Sequence, residues 1–288
     1  MIKLHFVKPG LHTTVQDEGR LGYQHLGVPG SGPMDRKSAS NANQLVGNPP
    51  DTPVLEITLM GPEIQFEGSV NIAIAGADLS PELNGQKISM NHVVEVKSGE
   101  ILSFGRPRQG CRAYLAVAGE WKVKKWLKSA STATVQPEKF TPESIIKKGS
   151  TISIVPVDFI ENQIEINDQH EFTPLIKINV TPGPEFKLFS KNYTAHFFSH
   201  AHKITNDSNR MGYRLKSDFK NYEPMDELIS SGVMPGTIQV TSEGDPVVLM
   251  ADAQTTGGYP RIAQVIPEDL DRLGQMKPGD ELWFSMAN

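Results

Sequence analysis

The chain has 288 residues, with 28 Lys and Arg against 33 Asp and Glu, and its net charge of −5 argues against a generally basic nucleic-acid binder. Hydrophobic residues make up 38% and charged residues 21%, which allows a sizeable core and argues against disorder. The single cysteine, Cys111, leaves no internal disulfide and no cysteine-built zinc site, and fits a reducing compartment.

The opening stretch Met1-Ile2-Lys3-Leu4-His5-Phe6 carries no charged n-region followed by a long apolar core, and no apolar run approaches the roughly 18 residues of a membrane span. A cytoplasmic location without a membrane partner is expected, with the sequons at Asn192 and Asn206 idle. Downstream, short apolar or alternating runs between Gly, Pro, Asn and Asp predict strands at 54–59, 70–75, 93–96, 101–104, 113–118, 151–155, 175–180, 237–240, 247–250 and 281–284. Two helices are expected: 35–46, opened by Pro33 and Asp35 and closed by Gly47, and 268–274, following Pro267. The balance is mainly β with a few short helices, closer to barrels than to a doubly wound sheet.

Five segments recur in one order. Residues 6–10 match 179–183, 17–23 match 207–213, and 33–35 match 224–226; Ile64-Gln65 and Ala77-Asp78 match Ile238-Gln239 and Ala251-Asp252; Lys97, Gly99 and Phe104 match Lys277, Gly279 and Phe284. Such order with drifting offsets reads as an old duplication. Two similar β-rich lobes that superpose as barrels are expected, 1–174 with elaboration at 106–174, and 175–288. Ligand sites favour the cleft between such lobes, and the matched polar residues are expected to gather there.

Asp17 and Arg20, repeated as Asp207 and Arg210, set a carboxylate and a guanidinium in Gly-flanked turns; they read either as anion recognition or as turn-tying pairs. Residues 252–260 form the densest polar run. Gln254, Thr255 and Thr256 supply donors without net charge, and Gly257-Gly258 beside Tyr259 allows close backbone approach, a combination suited to a planar amide, ureido or carboxyl group. Ser31, Gly32 and Asp35 lie in a loop entering a helix, which reads as an anion site or as a simple N-cap. No P-loop, Rossmann fingerprint or G-x-S-x-G elbow occurs. His196, His200 and His202 share one face if the segment is a strand, without the companions of a metal site; residues 121–128 mix Trp and Lys as a solvated helix or loop would.

The runs 14–23, 31–35 with 42–48, 112–119, 209–215, 235–240 and 251–260 together resemble the biotin-dependent carboxyltransferase family, which includes 5-oxoprolinase C subunits, KipA, allophanate hydrolase subunit 2 and the carboxyltransferase part of urea carboxylase. The resemblance spans nearly the whole chain. It implies two cyclophilin-like β-barrel lobes, a KipI-like B subunit as partner, and an A-type lactam-utilisation subunit in the oxoprolinase, which opens 5-oxo-L-proline to L-glutamate with ATP. In that scheme Asp17 and Asp252 are candidate catalytic groups, Arg20 and Arg210 hold anionic charge, and Tyr213, Gln239, Gln254, Thr255, Thr256, Gly257, Gly258 and Tyr259 contact substrate. Two alternatives remain: carboxyl transfer from carboxybiotin to urea or another amide, and a non-catalytic KipA-like regulator. The chain departs from the family at Glu120, where a second glycine is usual, and at Ala130, where an arginine is usual.

Overall fold

The protein is represented by a computed structural model that describes residues 1–157, 172–219, 222–223 and 228–287; the 224–226 segment matched to 33–35 lies outside them. Two compact units emerge, one of residues 1–21 and 31–172, the other of 22–30 and 173–288. Each of the ten runs expected to be strands falls on a strand. No helix among the described residues is long and apolar enough to cross a membrane.

In chain order the first unit comprises β1 (Ile2–Lys8), β2 (His12–Gln16), α1 (Arg36–Leu45), β3 (Val54–Thr58), β4 (Glu63–Glu67), β5 (Val70–Asp78), β6 (Pro81–Leu83), β7 (Gln86–Lys87), β8 (Val93–Val96), β9 (Ile101–Phe104), β10 (Gln109–Val117), β11 (Glu120–Trp121), α2 (Pro137–Phe140) and β12 (Thr151–Val155). They form two sheets, β11-β12-β1-β4-β9-β6-β7 and β2-β3-β10-β5-β8, around one apolar core. Alternation decides which faces are buried: Ile2, Leu4 and Phe6 of β1 and Ile64 and Phe66 of β4 point inward. β10 is buried along Cys111–Val117 because α1 covers its sheet, and the small side chains Ala39 and Ala42 let the helix lie close. Asp35 caps α1, its Oδ1 accepting from Ser38 N at 2.9 Å. At Gly119, where φ is +131°, a Cβ would lie 2.4 Å from Val155 O, so the glycine before Glu120 is required while Glu120 itself is exposed.

The second unit comprises β13 (Leu175–Pro182), α3 (Lys191–Ser199), β14 (His202–Ile204), β15 (Gly212–Lys216), β16 (Ser231–Gly232), β17 (Thr237–Val240), β18 (Pro246–Leu249), β19 (Thr256–Gly257), β20 (Arg261–Val265), α4 (Pro267–Gly274) and β21 (Glu281–Met286). Seven strands close a barrel in the order β13-β20-β17-β18-β15-β14-β21, with β13 and β21 parallel. Ile176, Ile178, Val180, Tyr213, Leu215, Ile238, Val248, Leu282 and Phe284 are buried. Outside the ring, β16 and β19 pair as a small ribbon, Ser231 with Gly257 and Gly232 with Thr256.

The motif matches align β1 with β13, β4 with β17 and β9 with β21, but strand neighbours differ. β1 pairs with β4 and β4 with β9, whereas β20 separates β13 from β17 and β17 is not beside β21. The matches thus follow local motifs rather than a shared pairing order. The segment does not run as one strand: His196 lies on α3, His200 caps its C-terminal end with the two rings stacked at 4.1 Å, and buried His202, which opens β14, bonds the Phe197 carbonyl at 2.9 Å. No metal-binding group of three or more such side chains occurs among the described residues.

Candidate functional site

The matched turns are built differently in the two units. Asp17, 7% exposed, accepts through Oδ1 from Gly19 N at 3.0 Å, Ser131 Oγ at 2.8 Å and Ser129 Oγ, and through Oδ2 from Ala130 N at 2.6 Å. Both its oxygens are occupied. Arg20, 1% exposed, donates to the carbonyls of Ser131 and Thr132 and lies 4.9 Å from the centre of the Trp126 ring, which in turn stacks on Phe140. Ala130, buried at the position where an arginine was expected, contributes its backbone to this clasp.

The loop at Ser31, Gly32 and Asp35 is likewise committed inward. Met34 N donates to Glu56 Oε2 at 2.8 Å, Asp35 N to Tyr114 Oη at 2.8 Å, and Ser38 N to Asp35, with Tyr114 Oη donating to Glu56 at 2.9 Å. Amides already facing two carboxylates of the chain do not offer a site to a further anion, and the loop is instead a buried seam that docks α1. Burial pushes the Tyr114 hydroxyl far above its ordinary range, with the Glu56 and Asp35 charges adding to it.

In the second unit Arg210 and Asp252 bind each other. Arg210 Nε donates to Asp252 Oδ2 at 2.7 Å and Nη2 to Oδ1 at 3.1 Å, while Asp252 N donates to Arg210 O at 2.9 Å. The bidentate pair ties the turn before β15 to the turn after β18. Tyr213 sits inside the barrel, 2% exposed, with its hydroxyl donating to Met276 O at 3.0 Å.

Beside this pair, on the outer face of β15, β18 and β17, lies a trough of about 210 Å³. Register explains the position. Tyr213, Val248 and Ile238 are cross-strand neighbours that fill the barrel, so the next row, Arg214, Val247 and Gln239, faces outward with Gly212 and Leu249 alongside. Val247, Leu249 and Gly212 form an apolar floor; Gln239, Gln254, Tyr259 and Thr241 line one side, and Asp207, Asn209, Met211 and Arg214 complete it.

Gln239 is the fixed member, 2% exposed. Its Nε2 donates to Tyr259 O at 3.3 Å and its Oε1 accepts from Gln254 Nε2 at 3.4 Å. A Cβ on Gly257 would lie 2.5 Å from Gln239 Nε2, so that glycine is what lets the carboxamide pass under β19. Thr255 and Thr256 belong to the ribbon rather than to the trough lining; Val233 N donates to Thr255 O at 3.0 Å, and Gly258 O accepts from Leu228 N at 3.3 Å. Beyond Tyr259, Arg261 grips Glu185 with Nε at 2.7 Å and Nη2 at 2.6 Å and also donates to Gly232 O at 3.1 Å. The guanidinium hydrogen bonds hold the Glu185 carboxyl below its usual range.

Of the substrate-contact candidates, Gln239, Gln254 and Tyr259 therefore meet in one trough. Asp17, Arg20, Arg210, Asp252, Tyr213 and Asp35 are engaged elsewhere, Gly32 and Ser31 lie in the buried seam with the Ser31 hydroxyl unpartnered among the described residues, and Thr255, Thr256, Gly257 and Gly258 support the wall. Arg214 was not singled out from the sequence, although the alternation Tyr213-Arg214-Leu215 contains the signal for an outward guanidinium.

A family model of the carboxyltransferase domain, subdomains A and B, matches residues 26–286. The chain belongs to this family. It is 35% identical over 281 residues to the 5-oxoprolinase C subunit of Escherichia coli, covering 98% of this chain and 90% of that protein. It is 36% identical over 298 residues to the urea amidolyase of Saccharomyces cerevisiae, covering 96% of this chain but 16% of that much longer one. Among solved structures, the urea amidolyase of K. lactis superposes with a TM-score of 0.91 at 32% identity, over 99% of this chain and 19% of that one. The mainly β architecture with few helices is thus that of the carboxyltransferase relatives.

Proposed function

We propose that the chain is the C-type subunit of an ATP-dependent 5-oxoprolinase and that the trough on its second unit binds the lactam of 5-oxo-L-proline. The observation that carries the reading is the pair of neutral carboxamides, Gln239 and Gln254, held against each other and against Tyr259 O over an apolar floor. A carboxamide offers one donor edge and one acceptor, the complement of an N–C=O group, and adds no charge to a small ligand. Gln239 is locked by Gly257 and Tyr259, so it is oriented before substrate arrives, while exposed Gln254 closes on the lactam.

Lactam opening needs activation of the carbonyl: phosphoryl transfer from ATP to the amide oxygen releases ADP, water adds to the activated carbon, the C–N bond breaks with a proton passing to the nitrogen, and hydrolysis of the remaining acyl phosphate gives glutamate and phosphate. Amide donors near that oxygen would position it. The trough does not fit the triphosphate itself, since its lining carries one guanidinium, Arg214, set off by one carboxylate, Asp207. ATP is therefore assigned to a partner, a KipI-like B subunit or an A-type subunit, which agrees with the name of the Escherichia coli relative as one subunit of several.

The same carboxamide pair suits a ureido edge, and the likeness to urea amidolyases keeps carboxyl transfer as the second reading. Biotin, when bound, supplies a carboxylated ureido nitrogen; Gln239 and Gln254 are the residues that would hold that edge.

The test is reconstitution. The purified chain alone should show negligible 5-oxoproline-dependent ATP hydrolysis, and addition of B-type and A-type subunits should restore glutamate production. Gln254→Ala in the complex should lower turnover about 10- to 100-fold with the fold intact. Full activity of the isolated chain contradicts the partner assignment, and an unaffected Gln254→Ala complex removes the trough from the reaction.

A further inference from the structure

The two arginines that the sequence offers as anion ligands are both engaged: Arg20 with backbone carbonyls and an indole, Arg210 with Asp252. A third guanidinium is placed differently. Arg214 lines the trough, and its side chain makes no ion pair or hydrogen bond among the described residues. Its backbone is fixed on both sides, with Arg214 N donating to Ser208 Oγ at 3.0 Å and Thr205 N donating to Arg214 O at 2.9 Å. The strand is anchored, and among the described residues no partner takes up the guanidinium.

Its position relative to the carboxamides follows from register. Arg214 and Gln239 are each directly opposite Val247, one on either side, so they stand two strand spacings apart, about 9–10 Å between Cα atoms, facing the same way. The row reads cation, apolar floor, carboxamide. A ligand spanning it carries an anionic group at one end, a short aliphatic middle over Val247 and an N–C=O group at the other. Asp207, which also lines the trough, makes no ion pair with Arg214 and offsets part of its charge, which favours a single carboxylate over a multiply charged phosphate chain.

We propose that Arg214 is the specificity-determining residue of the trough, selecting small amides that carry a carboxylate over neutral amides such as urea. This rests on the reading of the trough as an amide site and sharpens it to a substrate class. Arg214 acts in binding only. A guanidinium fork meets a carboxylate through two parallel N–H···O bonds, and neutral amides forgo that contact.

The experiment is calorimetric titration of the full chain with 5-oxo-L-proline and with 2-pyrrolidinone, the same lactam without the carboxylate, using wild type, Arg214→Gln and Gln254→Ala. Wild type should bind 5-oxoproline about tenfold or more tightly than 2-pyrrolidinone. Arg214→Gln should erase that preference while leaving 2-pyrrolidinone binding unchanged, and Gln254→Ala should weaken both ligands alike. Equal binding of the two lactams by wild type, or a preference that survives Arg214→Gln, overturns the role of Arg214 while the amide reading stands on the Gln254→Ala result. Absence of binding of either lactam to wild type overturns both. Circular dichroism of the variants verifies folding, and Arg214→Lys, which keeps the charge but not the fork, should retain part of the preference.

Discussion

Asp17-x-x-Arg20 and Asp207-x-x-Arg210 share one spacing, yet the first is sealed and the second borders an open trough. In the first unit, residues 129–132 supply hydroxyls, amides and carbonyls to both charged groups, and Trp126 covers the guanidinium. Those residues come from the 106–174 stretch that the repeat does not match. Among the described residues of the second unit no such stretch intervenes: Asp207 stays exposed, Arg210 turns to Asp252, and the outer face of three strands remains available to a ligand. What separates a structural clasp from a candidate site is thus the inserted segment rather than the motif.

The sharpest way to break this comparison is Asp17→Ala. It strands the donors of Gly19, Ser129, Ala130 and Ser131 in a buried turn, and should cost about 3–5 kcal/mol, read as faster amide exchange in first-unit peptides during native-state hydrogen exchange. Asp207→Ala, at the matched position, should change stability by less than about 0.5 kcal/mol. Equal costs at the two sites would remove the distinction.

Arg210→Ala should come next, at about 2–4 kcal/mol, because it leaves the Asp252 carboxylate unpaired at a mostly buried position, its side chain 14% exposed. The loss should appear in second-unit peptides. Arg214→Gln, four residues on and without an ion pair among the described residues, should leave exchange unaltered.

Smaller still is the acid response of the second unit. Burial holds the His202 pKa below its ordinary value of 6.5, so the neutral imidazole is the folded form. With the folded pKa depressed, the contribution is fully present above the unfolded value and declines as pH falls from about 6.5 toward the folded value. Thermal melts between pH 7.5 and 5 should show the second unit weakening, and His202→Gln should flatten that slope. A slope that persists in the variant assigns it to other groups.

Much of this was legible in the chain. The ten apolar runs mark strands because alternation and Gly/Pro punctuation are local, and α1 is declared by Asp35 and Gly47 at its ends. Gln239, Gln254 and Tyr259 were legible as polar residues near glycines. The trough itself was not, since it arises from Arg214, Val247 and Gln239 meeting across three strands whose register no local pattern encodes. β15 was missed because its five residues, Gly212–Lys216, mix charged and apolar types in one short run. The sealing of Arg20 was hidden for the same reason: Trp126 and Ser131 lie more than a hundred residues away in sequence.

The central claim, that the trough on the second unit holds the amide, is tested most directly by nuclear magnetic resonance of the side-chain carboxamides. Titration of the ¹⁵N-labelled chain with 5-oxo-L-proline should shift the Nε2 resonances of Gln239 and Gln254 together, with the backbone amides of Tyr259 and Val247 following and Gln16 in the first unit unmoved. Shifts clustered around Asp17 and Ser131, with Gln239 and Gln254 unchanged, would contradict it.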